Sequence, residues 1–264
     1  MMNKISKLIS IVICLSLVIT LFFQFPNKTE AVTTKDFHVL EDSNEKYVIS
    51  QEQDGVTGIL TLNKKTVEIS YQTEEIGSEG EKVSKDYEVD LQTLLNDNLD
   101  VTFKDTKDDK KYEVNSEDIQ ASFAFVIPIG IAIGAVLLEH LLALGLAVTV
   151  VGVTYIAYSE FIKRKDNKHN HFIAYRDKDK PHLFIGKGIS RANAVKRLAQ
   201  KKDTWSTSKS NAQSIAKAAS PIGKVIGAEI DKKGKNKHYH YHPVYKLKGK
   251  YERTGAHAFF GAPR

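Results

Sequence analysis

The sequence predicts an α+β protein in three parts. These are a small β-rich N-terminal unit, an apolar helical hairpin or transmembrane segment, and a basic α+β C-terminal domain of order ββααβββ. Three observations carry that expectation. Short alternating apolar runs bounded by turn residues fill residues 32–120. An almost uncharged stretch occupies 121–162. Residues 163–264 then mix strand-like runs with two helix-like segments. The 264 residues are 42% apolar with only 6 Pro and 16 Gly, which excludes a collagen-like, Pro-rich or wholly disordered chain. The net charge of +6 is an average over unlike segments. Residues 32–121 hold 10 basic and 22 acidic side chains, whereas 163–264 hold 25 and 7, a local net of +18. An asymmetry of this kind points to a polyanionic partner for the basic part.

Residues 1–31 have the layout of a signal peptide. Lys4 and Lys7 precede an apolar run from Leu8 to Phe23, and Thr29-Glu30-Ala31 places small residues at the −3 and −1 positions of a cleavage site. The protein is therefore expected to be secreted, or membrane-associated after export. The one cysteine, Cys14, lies inside this leader. The mature chain is then expected to have no disulfide-linked partner, no thiol nucleophile and no thiolate metal site. Export without disulfides suits a Gram-positive bacterium.

In 32–120, Ile59–Leu62, Val67–Tyr71, Tyr87–Leu91 and Val101–Phe103 alternate as strands do, with turn chemistry at Asp54-Gly55 and Asn63-Lys64. No catalytic constellation is visible there. Its acids are read as a solvated face or as a shield for the basic block. In the apolar middle, Ser122–Leu138 and Leu141–Tyr158 flank the polar pair Glu139-His140. Each half approaches the roughly 20 residues of a membrane span. A helical hairpin, a single tilted span beginning after Pro128 and a buried helix pair all fit. Gly130 and Gly134 have the GxxxG spacing of closely packed helices, and Lys163-Arg164-Lys165 resembles a cytoplasmic flank. Membrane contact through 122–159 is expected.

The basic block begins with a candidate hairpin, His171–Arg176 and His182–Ile185. Ser190 reads as the N-cap of a helix over Arg191–Lys201, and an Ala-rich helix follows over Lys209–Ala219. Val225–Ile230, His238–Tyr245 and Ala256–Phe260 complete the order. The stretch His238-Tyr239-His240-Tyr241-His242-Pro243 places three histidines on one strand face and two tyrosines on the other. His257 lies in Gly255-Ala256-His257-Ala258-Phe259-Phe260-Gly261. Such a cluster suits acid–base catalysis, a zinc-type site through neutral imidazole, or a cationic grip on phosphates. It also suits a polar face with aromatic packing behind it. Carboxylate ligands are few, Glu229 and Asp231 being the nearest in sequence. Arg176, Lys187, Arg191, Arg197, Lys235 and Lys237 are the expected nucleic-acid contacts.

The leader, the Gly/Ala-rich middle and the C-terminal pattern together resemble the SAR-type toxin-like family of secreted Gram-positive proteins, laid out as polymorphic toxins are. The C-terminal pattern is Ile185-Gly186, Ser190, Ala194, Arg197-Leu198, Gly227-Ala228-Glu229, His238–Pro243 and His257–Gly261. The resemblance covers about residues 120–264. The family pattern has Pro where this chain has Ala228. The resemblance implies a C-terminal effector, often with an immunity protein, here acidic. Many such effectors are nucleases that use His with Lys, Arg or Glu, and His240, His242, His257 and Glu229 are the matching candidates. The leading expectation is a ribonuclease-like effector with no metal and no cofactor. One histidine takes the 2′-OH proton, a second protonates the leaving oxygen, and Glu229 orients a ring. The alternatives are a membrane-active or membrane-anchored surface protein without enzymatic activity, and a non-catalytic polyanion-binding module.

Overall fold

The computed structural model describes residues 37–95, 98–116, 127–164, 168–177, 182–231 and 236–264. The leader expected over 1–31 and Lys235 lie outside them. Residues Asp36–Arg264 form one compact unit.

Seven strands come first: β1 (His38–Asp42), β2 (Lys46–Gln53), β3 (Val56–Asn63), β4 (Glu68–Ile76), β5 (Lys82–Leu95), β6 (Asn98–Asp105) and β7 (Lys111–Asn115). They form an antiparallel meander. Alternation sets their faces: Gly58, Leu60 and Leu62 of β3 and Leu99, Val101 and Phe103 of β6 are buried, with more exposed residues between them. Asp54 and Gly55 both have positive φ, the conformation of a two-residue hairpin turn.

Helix α1 (Ile129–Ala143) lies across the buried face of this meander. Its 15 residues span only about 22 Å. Among the described residues, Gly130 and Gly134 meet strands of the sheet instead of another helix. A β-carbon on Gly134 would lie 2.8 Å from the Tyr71 ring and 2.9 Å from the Phe103 ring, and one on Gly130 would lie 2.8 Å from Thr73 Cγ2. The GxxxG spacing therefore lets a helix settle onto a sheet, and the Tyr71 hydroxyl donates to the Gly130 carbonyl.

The second half of the apolar stretch is not helical. It folds as β8 (Ala147–Val150) and β9 (Val153–Ala157), then the short helix α2 (Tyr158–Phe161). The cause is composition: Val148, Thr149, Val150, Val153, Thr154 and Ile156 are β-branched. Val151 and Gly152 have φ of 49° and 68° and close the hairpin between the strands.

The remaining elements are β10 (His171–Arg176), β11 (Leu183–Ile189), α3 (Arg191–Ala199), β12 (Thr204–Ser206), α4 (Lys209–Ala219), β13 (Val225–Ile230), β14 (Tyr239–Leu247), β15 (Lys250–Arg253) and β16 (Ala258–Phe260). β12 and β15 are absent from the expected ββααβββ order. Three residues are too few to show periodicity, and β15 is exposed at every position. Ser190 and Ser208 cap α3 and α4 by accepting from the Asn193 and Asn211 amides.

β5 pairs with β8 and β9 pairs with β11, so the hairpin sews the front meander to the basic block. The sheet runs β1-β2-β3-β4-β5-β8-β9-β11-β10-β12-β16-β14-β13, with β6 and β7 branching from β5 and β15 from β14. The expected α+β class with a helical hairpin or transmembrane segment is therefore corrected. The described residues are mainly β, one mixed sheet of 16 strands with four short helices. No helix among the described residues is long and apolar enough to cross a membrane.

Candidate functional site

The two faces of β14 are chemically distinct. Tyr239 and Tyr241 stack on Phe260 at centroid distances of 6.0 and 5.6 Å, on the side that α3 and α4 cover. His238, His240 and His242 face the other side. His238 lies edge-on to Tyr158 and Phe259 and donates from Nδ1 to the Gly261 carbonyl (2.9 Å). His240 and His242 instead meet His257, which enters from the residue before β16. The three ring centroids lie 4.6–4.9 Å apart and the rings are steeply inclined, at 61–88°. All three side chains are buried, His240 completely. The face is thus not a solvent-facing cationic grip.

Each ring of the cluster is held through Nδ1. His240 Nδ1 lies 3.2 Å from the His238 carbonyl, His242 Nδ1 lies 2.9 Å from the Ala256 carbonyl and His257 Nδ1 lies 2.8 Å from Asp203 Oδ1. Carbonyl and carboxylate oxygens only accept, so Nδ1 carries the proton in each ring. Asp203 also accepts the His257 amide N–H (2.8 Å). The register explains this. β12 and β16 run parallel with Thr204 opposite Ala258, so the residues just before each strand meet. Sequence reading missed Asp203 because no local motif marks it. Glu229, expected to orient a ring, does not reach an Nδ1. A bulge in β13 sets it opposite His240, with Oε1 3.0 Å from His242 Nε2 and 3.8 Å from His240 Nε2. Arg253 of β15, also missed, grips Glu229 through both terminal nitrogens at 2.7 and 3.0 Å.

Burial pushes the His242 ring down to about 4, with the neighbouring charges of His257 and His240 acting the same way. Burial also lowers His240 and takes His238 to about 4. Burial pushes Asp231 upward, but the charges of His240 and Arg176 outweigh it and hold the carboxyl below its usual range.

No family model, no curated protein and no solved structure matches the chain.

The expected nucleic-acid contacts separate. Arg176 pairs with Asp231 at 2.6 Å, and Asp231 Oδ1 lies 3.8 Å from His240 Nε2, so Arg176 belongs to the surroundings of the cluster. Lys237 shares a small crevice with Arg176 and Asp231. Arg197 is committed to structure: it donates to the Asp203 carbonyl (2.7 Å), the Ala174 carbonyl (3.1 Å) and the Tyr155 hydroxyl (3.1 Å). Lys187 borders a separate cavity of about 310 Å³ with Glu68 and Asp90. Arg191 lies exposed at the start of α3 and bonds Ser214 (3.2 Å). A cleft of about 340 Å³ collects Arg176, Arg197, Lys201 and Lys202 beside Asp203.

Proposed function

We propose that the chain is an exported, toxin-like effector whose basic C-terminal part acts on the phosphodiester backbone of nucleic acid, RNA in the first instance. His240, His242, His257 and Glu229 are its chemical centre. One observation carries this reading. Three buried imidazoles, each oriented through Nδ1, converge beside a carboxylate that is itself fixed by a guanidinium. Burying such groups without full hydrogen bonding costs about 1–3 kcal/mol each, a cost that structural packing alone does not require. Lys201 and Lys202 in the cleft beside Asp203 and a local net charge of +18 supply phosphate complementarity.

The geometry modifies the expected two-histidine mechanism. Rings that burial keeps neutral offer lone pairs rather than the proton a leaving oxygen needs. Asp203 positions His257, and Arg253 holds the Glu229 carboxylate beside the rings.

The test uses the purified full chain with defined RNA and DNA, with and without added divalent metal. Cleavage is expected, and His257→Ala should lower it by about 10²-fold or more. If both polymers stay intact under every condition, the reading fails. Salt-sensitive retention without cleavage would make the protein a polyanion-binding module instead.

A further inference from the structure

We infer that His240, His242 and His257 form a site for one divalent transition-metal ion of the zinc class, bound through their Nε2 atoms. A nitrogen of each ring lies within 4.8 Å of the others. Tetrahedral zinc at 2.0–2.1 Å from each nitrogen spaces its ligands about 3.4 Å apart, so rotations that move the nitrogens by roughly an ångström close the set. The tutelage of the rings is already complete. A backbone carbonyl holds His240, another holds His242, and the Asp203 carboxylate holds His257. Partners of this kind fix the tautomer and aim a metal-binding histidine. A neutral ring whose Nδ1 is protonated presents a lone pair at Nε2. His240 Nε2 and His242 Nε2 are buried and have no hydrogen-bond partner.

Glu229 adds an independent argument. Its Oε1 stands 3.0 Å from His242 Nε2 with no hydrogen bond between them. Two acceptors that close need a proton or a cation to share. Three imidazoles select zinc, nickel or copper over magnesium or calcium, which prefer oxygen. Three histidines also leave one coordination position open, as hydrolytic zinc sites do, and Glu229 borders that position. The metal site does not rest on the phosphodiester reading. Metal uptake without cleavage would leave this inference standing, and cleavage without metal uptake would leave only the proposed function.

The full chain, stripped with chelator and dialysed, is titrated with zinc chloride by calorimetry and with cobalt(II) by visible absorption. One equivalent per chain and the intense bands of tetrahedral cobalt are expected. His240→Gln, His242→Gln and His257→Gln should each weaken binding by at least about 100-fold, and Asp203→Asn by about 10-fold. His171→Gln should leave it unchanged, since that buried ring bonds Ser206 away from the cluster. Absent uptake, or uptake that survives all three glutamines together, overturns the site. Should the variants fail to fold, the wild-type spectrum decides: weak octahedral bands overturn it, tetrahedral bands support it.

Discussion

Gly134 stands where a β-carbon would meet two aromatic rings below 3.0 Å, so its smallness is a packing requirement. Gly134→Ala gains helix propensity but overpacks the contact with Tyr71 and Phe103. A net loss of about 1–2 kcal/mol is expected, read as a lower urea midpoint. Lys64 poses the opposite problem, a wholly buried cation. Its ammonium meets Asp42 at 2.8 Å, Glu160 at 2.6 Å and the Ser43 carbonyl at 2.9 Å, and Glu160 also pairs with Lys163. Burial pushes the Glu160 carboxyl up, but hydrogen bonds and charge from Lys163 and Lys64 outweigh it and hold the group below its ordinary 4.5. Burial pulls Lys64 down, and its bonds to Asp42 and Glu160 reverse that, so its net shift is upward. A depressed carboxyl stabilises the fold above about pH 4.5 and ceases to do so as the pH falls through its folded value. A raised lysine stabilises up to its ordinary range and is lost above its folded value. Glu160→Gln should therefore cost about 3 kcal/mol at pH 7. The difference from wild type should shrink toward pH 3 in denaturant titrations; a constant difference would contradict the assignment.

At the level of elements, the β8–β9 hairpin decides the architecture. Val151 holds φ of 49° while 82% exposed, a conformation that β-branched side chains resist. Asn or Gly is the natural residue there. Val151→Asn should raise stability by about 1 kcal/mol, seen as a higher melting temperature. A fall would mean that the Val151 side chain packs usefully. The same hairpin shows why periodicity misled. Apolarity on both faces is shared by a buried helix and a buried central strand, and the two differ mainly in β-branching and turn conformation. The histidine strand was more legible. Alternation over His238–His242 assigns the two faces without reference to tertiary structure.

At the scale of the molecule, the basic block is not freestanding. β11 pairs with β9, and the Tyr158 and Phe161 rings pack on Trp205 at 5.9 and 5.2 Å. Lys64 from the acidic front binds Glu160, and Arg164 donates to the Lys65 carbonyl at 2.9 Å. The Lys64–Glu160 bridge thus runs from a cation of the acidic part to a carboxylate of the apolar part. A fragment spanning 163–264 strips β9 from β11 and uncovers Phe184 and Ile185. Limited proteolysis should digest that fragment at protease levels that leave Asp36–Arg264 intact. A protected fragment would show that the sheet divides cleanly there.

Chain order and chemistry determined much from the sequence alone: the charge division, the early strands, the caps at Ser190, and the two-faced histidine strand. These depend on neighbours a few residues apart, where backbone geometry repeats. Tertiary structure decided the rest. That the apolar middle is half sheet, that Asp203 and Arg253 serve the histidine cluster, and that Arg197 braces Asp203 instead of contacting a ligand all follow from pairings between distant segments. Asp203 and His257 stand 54 residues apart and meet through two three-residue strands lying parallel. Strand pairing at that separation is set by the free energy of the whole sheet, and local residue patterns carry no record of it.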